Sequence, residues 1–294
     1  MSGFTPSTAA STSTMPTSTT SLERGDEDPT IKFTNAQDIF EIINSISGDF
    51  LIFTNVSPSD FAQIDHERSI RRRRFRWRRY HAESQILIVI IPTRLHETLH
   101  QAIYMRYYAQ LCRTGMETTW ATIGTTTFRS SHPGGDGGEG DSTGGPMPER
   151  KRPGDWPTLV IEAGHSESLN QLRNDMRWWF MASNHDVKIV ILAKFDRGES
   201  RIILEKWEEE VATRPGATTT RRAAAVQQML PVLKQEITIN RDEATNPISY
   251  NVTRGPLVLE FGLLYLRDPG PQETDFIIDI PYLQEYAEQV WDQV

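Results

Sequence analysis

TLVIEAGHSESLNQLRNDMRWWF, residues 158–180, decides the fold. It opens as an apolar run carrying one carboxylate, Glu162, and after Gly164 the hydrophobic period changes from strand-like to helical. Leu169, Leu172, Met176, Trp179 and Phe180 fall on one helix face, and Ser166 or Ser168 supplies the cap. The following segment, VKIVILAKFD (187–196), reads as a second buried strand. Strand, helix, strand in that order predicts a crossover with the two strands parallel. RIILEKWEEE then reads as a hairpin partner across the turn at Asp196, Arg197 and Gly198.

Upstream, TNAQDIFEIINSI (34–46) places Ile39, Ile42, Ile43 and Ile46 at helical spacing behind a Thr/Asn start. DFLIFTNV, QILIVIIP (85–92) and TTWATIGTTTF (118–128) read as strands, and TRLHETLHQAIYMRYYAQLC as a helix with Leu95, Leu99, Ile103 and Tyr107 on one stripe. Residues 129–156 concentrate Gly, Pro and charge without periodicity, which predicts a flexible loop. Beyond a Thr/Ala-rich linker (211–226), the C-terminal part (227–294) carries QEITI, GPLVLEFGLLYL and TDFIIDIP as further strands or partner segments and closes on a short helix, YLQEYAEQVWDQ. The organisation expected is a Ser/Thr-rich disordered tail over 1–29 followed by one α/β domain over 30–294.

The 294 residues carry a formal net charge of −8, which argues against a surface that coats nucleic acid throughout. No apolar run approaches the roughly 20 residues of a membrane-spanning helix, so no membrane partner is expected. The first 22 residues lack the charged and apolar regions of a secretory signal, and Cys112 is the single cysteine. Together these predict an intracellular, non-secreted protein of the nucleus or cytoplasm, of unknown oligomeric state.

Four stretches carry candidate chemistry. GHSES (164–168) has the strand-turn-helix setting of a nucleophile elbow, but Ser168 stands where that motif has glycine and no histidine follows His185; a plain helix cap is the stronger reading. HETLH (96–100) is a literal H-E-x-x-H on a helix: His96 and His100 share a face suited to zinc with Glu97 as base, a zinc-peptidase reading, or they are exposed histidines at a helix start. The run RRRRFRWRRYH contributes Arg71, Arg72, Arg73, Arg74, Arg76, Arg78 and Arg79 around Phe75 and Trp77, suited to phosphates and stacked bases, to nuclear import, or to a solvated loop or edge strand. Finally, Glu162 ends a buried strand, where a lone carboxylate needs a cation or an ion pair. A divalent ion shared with Glu139 or Asp141 of EGDS satisfies it and activates water; a salt bridge to an arginine such as Arg173 satisfies it structurally.

The succession of helix, strand, EGDS, WPTLVIEAG, SESLNQLRNDMRWWF and VKIVIL, covering about residues 85–210, resembles the PD-(D/E)XK, or restriction-endonuclease-like, superfamily, and more closely a group of fungal proteins that carry this core. The resemblance implies a mixed sheet flanked by helices and a Mg²⁺- or Mn²⁺-dependent nuclease acting on DNA. It assigns the metal to Asp141, Glu162 and the carbonyl of Ala163. The family's lysine is due two residues after Glu162, where this chain has Gly164. Lys194, Arg173 and Gln171 are the candidates to replace it. The missing lysine, which would orient water and offset phosphate charge, equally implies an inactive member that binds nucleic acid or protein.

Overall fold

The computed structural model describes residues 28–46, 48–71, 75–124, 126–130, 136–212 and 228–294. The predicted tail, apart from residues 28 and 29, most of the 211–226 linker, and Arg72, Arg73 and Arg74 lie outside them.

The first half runs β1 (Thr30–Lys32), α1 (Ala36–Ser45), β2 (Phe50–Thr54), α2 (Pro58–Arg71), β3 (Arg76–His81), β4 (Ile86–Ile90), α3 (Arg94–Thr114), β5 (Trp120–Thr122), β6 (Thr127–Arg129), β7 (Gly137–Glu139) and β8 (Ser142–Pro146). The second continues with β9 (Leu159–Gly164), α4 (Leu169–Ala182), β10 (Ile189–Asp196), β11 (Arg201–Val211), β12 (Met229–Asp242), β13 (Ser249–Thr253), β14 (Leu257–Leu259), α5 (Phe261–Tyr265), β15 (Phe276–Ile278) and α6 (Ile280–Trp291). The chain is a mixed α/β protein.

Two mixed sheets carry the structure. One has six strands in the order β1-β2-β4-β3-β7-β6, the other seven in the order β13-β12-β11-β10-β9-β8-β5, and β14 with β15 forms a separate pair. In the larger sheet β9 and β10 are parallel, with Glu162 opposite Leu192, while β10 and β11 pair antiparallel. The strand-helix-strand unit read from residues 158–196 is therefore present, with Ser168 capping α4 through its hydroxyl. Leu159, Ile161 and Ala163 belong to the core shared with α3, α5 and α6. The alternate residue Val160 packs with Leu172, Met176, Trp179 and Phe180 of α4, which leaves Glu162 directed to the α4 side. The smaller sheet packs against α1 through Ile39, Phe40, Leu51, Phe53 and Val89.

Several expectations are corrected. TTWATIGTTTF is two short strands in different sheets, and GPLVLEFGLLYL is a strand followed by a helix. Helix α2 was not expected, and its stripe is weak: among its buried or half-buried positions only Ile64 is fully enclosed. The described part of the arginine run from Arg76 onward is neither loop nor edge, because β3 lies between β4 and β7. The Gly-rich loop expected over 129–156 contains β7 and β8, and residues 137–146 are buried. Its glycines serve close packing in place of flexibility: a Cβ on Gly138 would lie 1.8 Å from Arg79 Nη1, and one on Gly144 2.4 Å from Trp120 Nε1. Between β7 and β8 the chain passes from one sheet to the other, and Asp141 stands at that passage.

Candidate functional site

Asp141 and Glu162 are 21 residues apart in sequence and locked together by reciprocal backbone bonds. Asp141 N donates to Glu162 Oε2 at 3.2 Å, and Ala163 N donates to Asp141 Oδ2 at 2.9 Å. Both side chains are buried. The cation that meets them is Arg78. Its Nη1 donates to Asp141 Oδ2 at 2.8 Å and to Glu162 Oε2, while Nη2 donates to the carbonyl of Ala163 at 2.6 Å and to Glu167 Oε2 at 3.1 Å. Asp175 Oδ2 stands 3.6 Å from Nε. The groups that the resemblance assigned to a metal, Asp141, Glu162 and the Ala163 carbonyl, thus all converge on one guanidinium.

Arg78 reaches this point through a β-bulge. The register of β3 on β4 pairs Trp77 with Val89 and Arg79 with Ile88, so Arg78 is the extra residue, and both it and Arg79 turn inward. Arg79 packs its guanidinium 3.8 Å from the Trp178 ring centroid and lies 3.3 Å from Asp175 Oδ1 and 3.6 Å from Glu162 Oε1. Trp179 Nε1 donates to Glu162 Oε1. Arg76 bridges Asp141 Oδ1, at 3.2 Å, and Glu97. Arg76, Arg78 and Arg79 were expected to contact nucleic acid. Arg78 and Arg79 are fully buried on internal carboxylates, so the DNA-contact expectation is corrected for both; no phosphate reaches either without opening the core. Arg71 ends α2, and the other three arginines of the run lie outside the described residues.

The electrostatics follow from burial and crowding. Burial opposes the charge on Arg78, but Asp141, Glu162, Glu167 and Asp175 outweigh it and hold the guanidinium charged. Burial lifts Glu162 to about 7; Arg78 works against that shift and Asp141 adds to it. Burial, and after it the neighbouring Asp175 carboxylate, raise Glu167 well above the usual carboxylate range against the pull of Arg78. Asp141 resists the upward push of burial because Arg78 and then His96 hold it well below the usual carboxylate range.

No family model matches this chain, and no curated protein or solved structure does either. The site is therefore read from its own geometry.

The remaining sequence candidates disperse. Glu139 forms a bidentate pair with Arg68, at 2.9 and 3.2 Å, and accepts from Thr127 and Trp77 N, away from Asp141. Arg173 pairs with Glu205, not with Glu162. Lys194 is level with Gly164 and donates to the carbonyl of His165 at 2.6 Å, and Gln171 lies in the first turn of α4, where its backbone N–H donates to the Ser168 cap. Replacement of the absent lysine by Lys194 or Arg173 is corrected accordingly: the arginines against the acids are Arg76, Arg78 and Arg79. A divalent ion has suitable oxygen donors here, but it does not fit while Arg78 fills the space between them.

His96 and His100 lie on the face of α3 turned toward the same region, buried and not exposed. His96 Nδ1 is 3.1 Å from Asp49 Oδ2 and its Nε2 3.1 Å from Asp141 Oδ1. Burial disfavours the imidazolium, yet Asp141 and Asp49 raise His96 to about 9. His100, buried with weaker compensation, is lowered. His96, Glu97 and His100 offer ligand atoms that all lie within 4.8 Å of one another. Glu97 is held by Arg76 and by Gln101, which removes it from the role of a free base in a peptidase. No described helix is long and apolar enough to cross a membrane.

Proposed function

We propose that this chain is a non-hydrolytic protein of the restriction-endonuclease-like kind, a folded module that binds a macromolecular partner without cutting DNA. The observation that carries this reading is the guanidinium of Arg78 held at once by Asp141 Oδ2, Glu162 Oε2 and the carbonyl of Ala163. A fixed side-chain cation neutralises the acids but carries no exchangeable water, so it supplies none of the nucleophile activation that a bound metal ion gives. The engagement of Lys194 by the His165 carbonyl and of Arg173 by Glu205 supports the same reading.

A second reading, a Mg²⁺- or Mn²⁺-dependent DNA phosphodiesterase, is favoured by one observation: the acids and the carbonyl converge, as hard-cation chemistry requires. It needs Arg78 to leave a fully buried position.

Supercoiled plasmid incubated with the full chain and Mg²⁺ or Mn²⁺ separates the two. Our reading expects no nicking above that of Glu162→Gln. Metal-dependent nicking that Glu162→Gln abolishes would establish the phosphodiesterase. A labelled DNA oligonucleotide in the same buffers assigns the partner: salt-dependent binding marks nucleic acid, and its absence leaves a protein partner.

A further inference from the structure

HETLH begins α3, where Thr93 caps the helix by accepting from His96 N at 3.1 Å and the i, i+4 spacing sets His96 and His100 on one face. Each imidazole is oriented from behind. His96 Nδ1 faces Asp49 Oδ2 at 3.1 Å, and Asp49 is itself fixed by the backbone N–H groups of His165 and Ser166 at 3.1 and 2.7 Å. His100 Nδ1 faces Ser142 Oγ at 2.8 Å. Outer partners on both Nδ1 atoms leave both Nε2 atoms pointing into shared space. Although both residues are almost fully buried, neither Nε2 makes an aligned hydrogen bond among the described residues. For His100 Nε2, whose nearest carboxylate oxygen is 3.5 Å away, that state is costly. Two carboxylate oxygens lie beside them: Asp141 Oδ1 is 3.1 Å from His96 Nε2, and Glu97 Oε1 is 3.5 Å from His100 Nε2.

We propose that His96 Nε2, His100 Nε2, Glu97 Oε1 and Asp141 Oδ1 form a transition-metal site of the zinc class, with Asp49 and Ser142 as its outer support. Two imidazoles with two carboxylates suit Zn²⁺, whereas Mg²⁺ and Ca²⁺ take oxygen alone. Metal–ligand distances of about 2.0–2.2 Å require the ligand atoms to close to roughly 3.4 Å apart. Glu97, with 29% of its side chain exposed, closes on the histidines once Arg76 releases its Oε1. Binding replaces the proton on His96 Nε2, which goes to solvent, and leaves the Asp49–imidazole–metal arrangement that commonly tunes such sites. Four protein ligands make a closed set, so the ion holds α3 to the passage between the sheets and does not activate water; this separates the site from a peptidase.

Arg76 is the built-in competitor. It contacts both Glu97 Oε1 and Asp141 Oδ1, and with 13% of its side chain exposed it has a path to solvent. Asp141 serves both centres with different atoms: Oδ2 faces Arg78 and Oδ1 faces the histidines. The metal site therefore does not rest on the non-hydrolytic reading.

The test is titration of the EDTA-stripped full chain with Zn²⁺, and with Co²⁺ as a spectroscopic probe. One ion per chain is expected, with the intense visible absorption of four-coordinate Co²⁺. His100→Ala should weaken binding by about 100-fold or more and Asp49→Asn by roughly 10- to 100-fold. Arg76→Met should tighten it, on the order of tenfold, since a competing charge is gone. A folding defect does not produce tighter binding, so that variant remains decisive where His100→Ala misfolds. The proposal is overturned by stoichiometry far below one ion, by unchanged affinity in folded His100→Ala, or by weaker binding in Arg76→Met.

Discussion

Arg78 and Glu162 form an ion pair in which neither side chain has any exposure to solvent. Removing two charges from water is worthwhile only where every remaining donor and acceptor is met, and a lost partner leaves an uncompensated charge. Arg78 meets four carboxylates and one carbonyl, so its removal strands several groups at once.

Arg78→Met should therefore destabilise the protein by about 3–5 kcal/mol, read by urea unfolding in EDTA at neutral pH. The two acids should not respond alike. Asp141, held strongly ionised by Arg78 and His96, loses more on conversion to Asn than Glu162, already lifted to about 7, loses on conversion to Gln. We expect roughly 1–2 kcal/mol for Glu162→Gln and a larger loss for Asp141→Asn. Equal costs would contradict this division of charge.

Stability should fall as pH rises from about 6.5 to 9 in the metal-free protein. His96 has an ordinary value of 6.5 and is raised to about 9 in the fold by Asp141 and Asp49, with Glu97, His100 and His165 as further titratable neighbours and Arg76 on Asp141 beside it. A raised value means that the folded state binds the proton more tightly, so the stabilisation is complete below 6.5 and disappears through 9. The expected loss is roughly 2–3 kcal/mol, followed by thermal unfolding, and His96→Gln should flatten the slope. Glu162 adds a fall of the same sign between its ordinary 4.5 and about 7. A profile that rises across this interval would remove the imidazolium from the account.

Close packing of the glycines is open to a simpler test. Gly138→Ala puts a methyl 1.8 Å from Arg79 Nη1 and 2.8 Å from the carbonyl of Arg78, so the buried arginine must leave its place against Trp178. We expect a loss of about 2 kcal/mol or more. At Gly198 the nearest atom to an added Cβ is Asp196 Oδ1 at 3.7 Å, and Gly198→Ala should stay within about 0.5 kcal/mol. Similar effects at the two positions would refute the steric reading.

The parallel strand pair and the helix between them were legible because each obeys its own period: Val160, Leu172, Met176 and Phe180 meet on one side of β9 as their spacing requires. The role of the arginine run was not legible. In a regular strand Arg78 and Arg79 point to opposite faces, and the bulge that turns both inward leaves no mark in the hydrophobic pattern. Residues 137–146 misled for the opposite reason: Gly and Asp are the residues of turns, and the same small residues were present because arginine, tryptophan and tyrosine side chains press against the backbone. Helix α2 was obscured by its high polarity, which leaves a single fully buried position, Ile64, to mark its inner face. His96 and His100 were visible as a motif, but their burial and the outer partners Asp49 and Ser142 come from distant segments.

The most direct measurement of whether Arg78 holds the cation position is Mg²⁺ binding by calorimetry to the wild type, Arg78→Ala, and Arg78→Ala combined with Glu162→Gln. Mg²⁺ is chosen because it prefers oxygen donors and leaves the histidines aside. The account predicts no Glu162-dependent binding in the wild type, a site gained in Arg78→Ala, and that site lost again in the double variant. Mg²⁺ bound by the wild type and released by Glu162→Gln alone would contradict it.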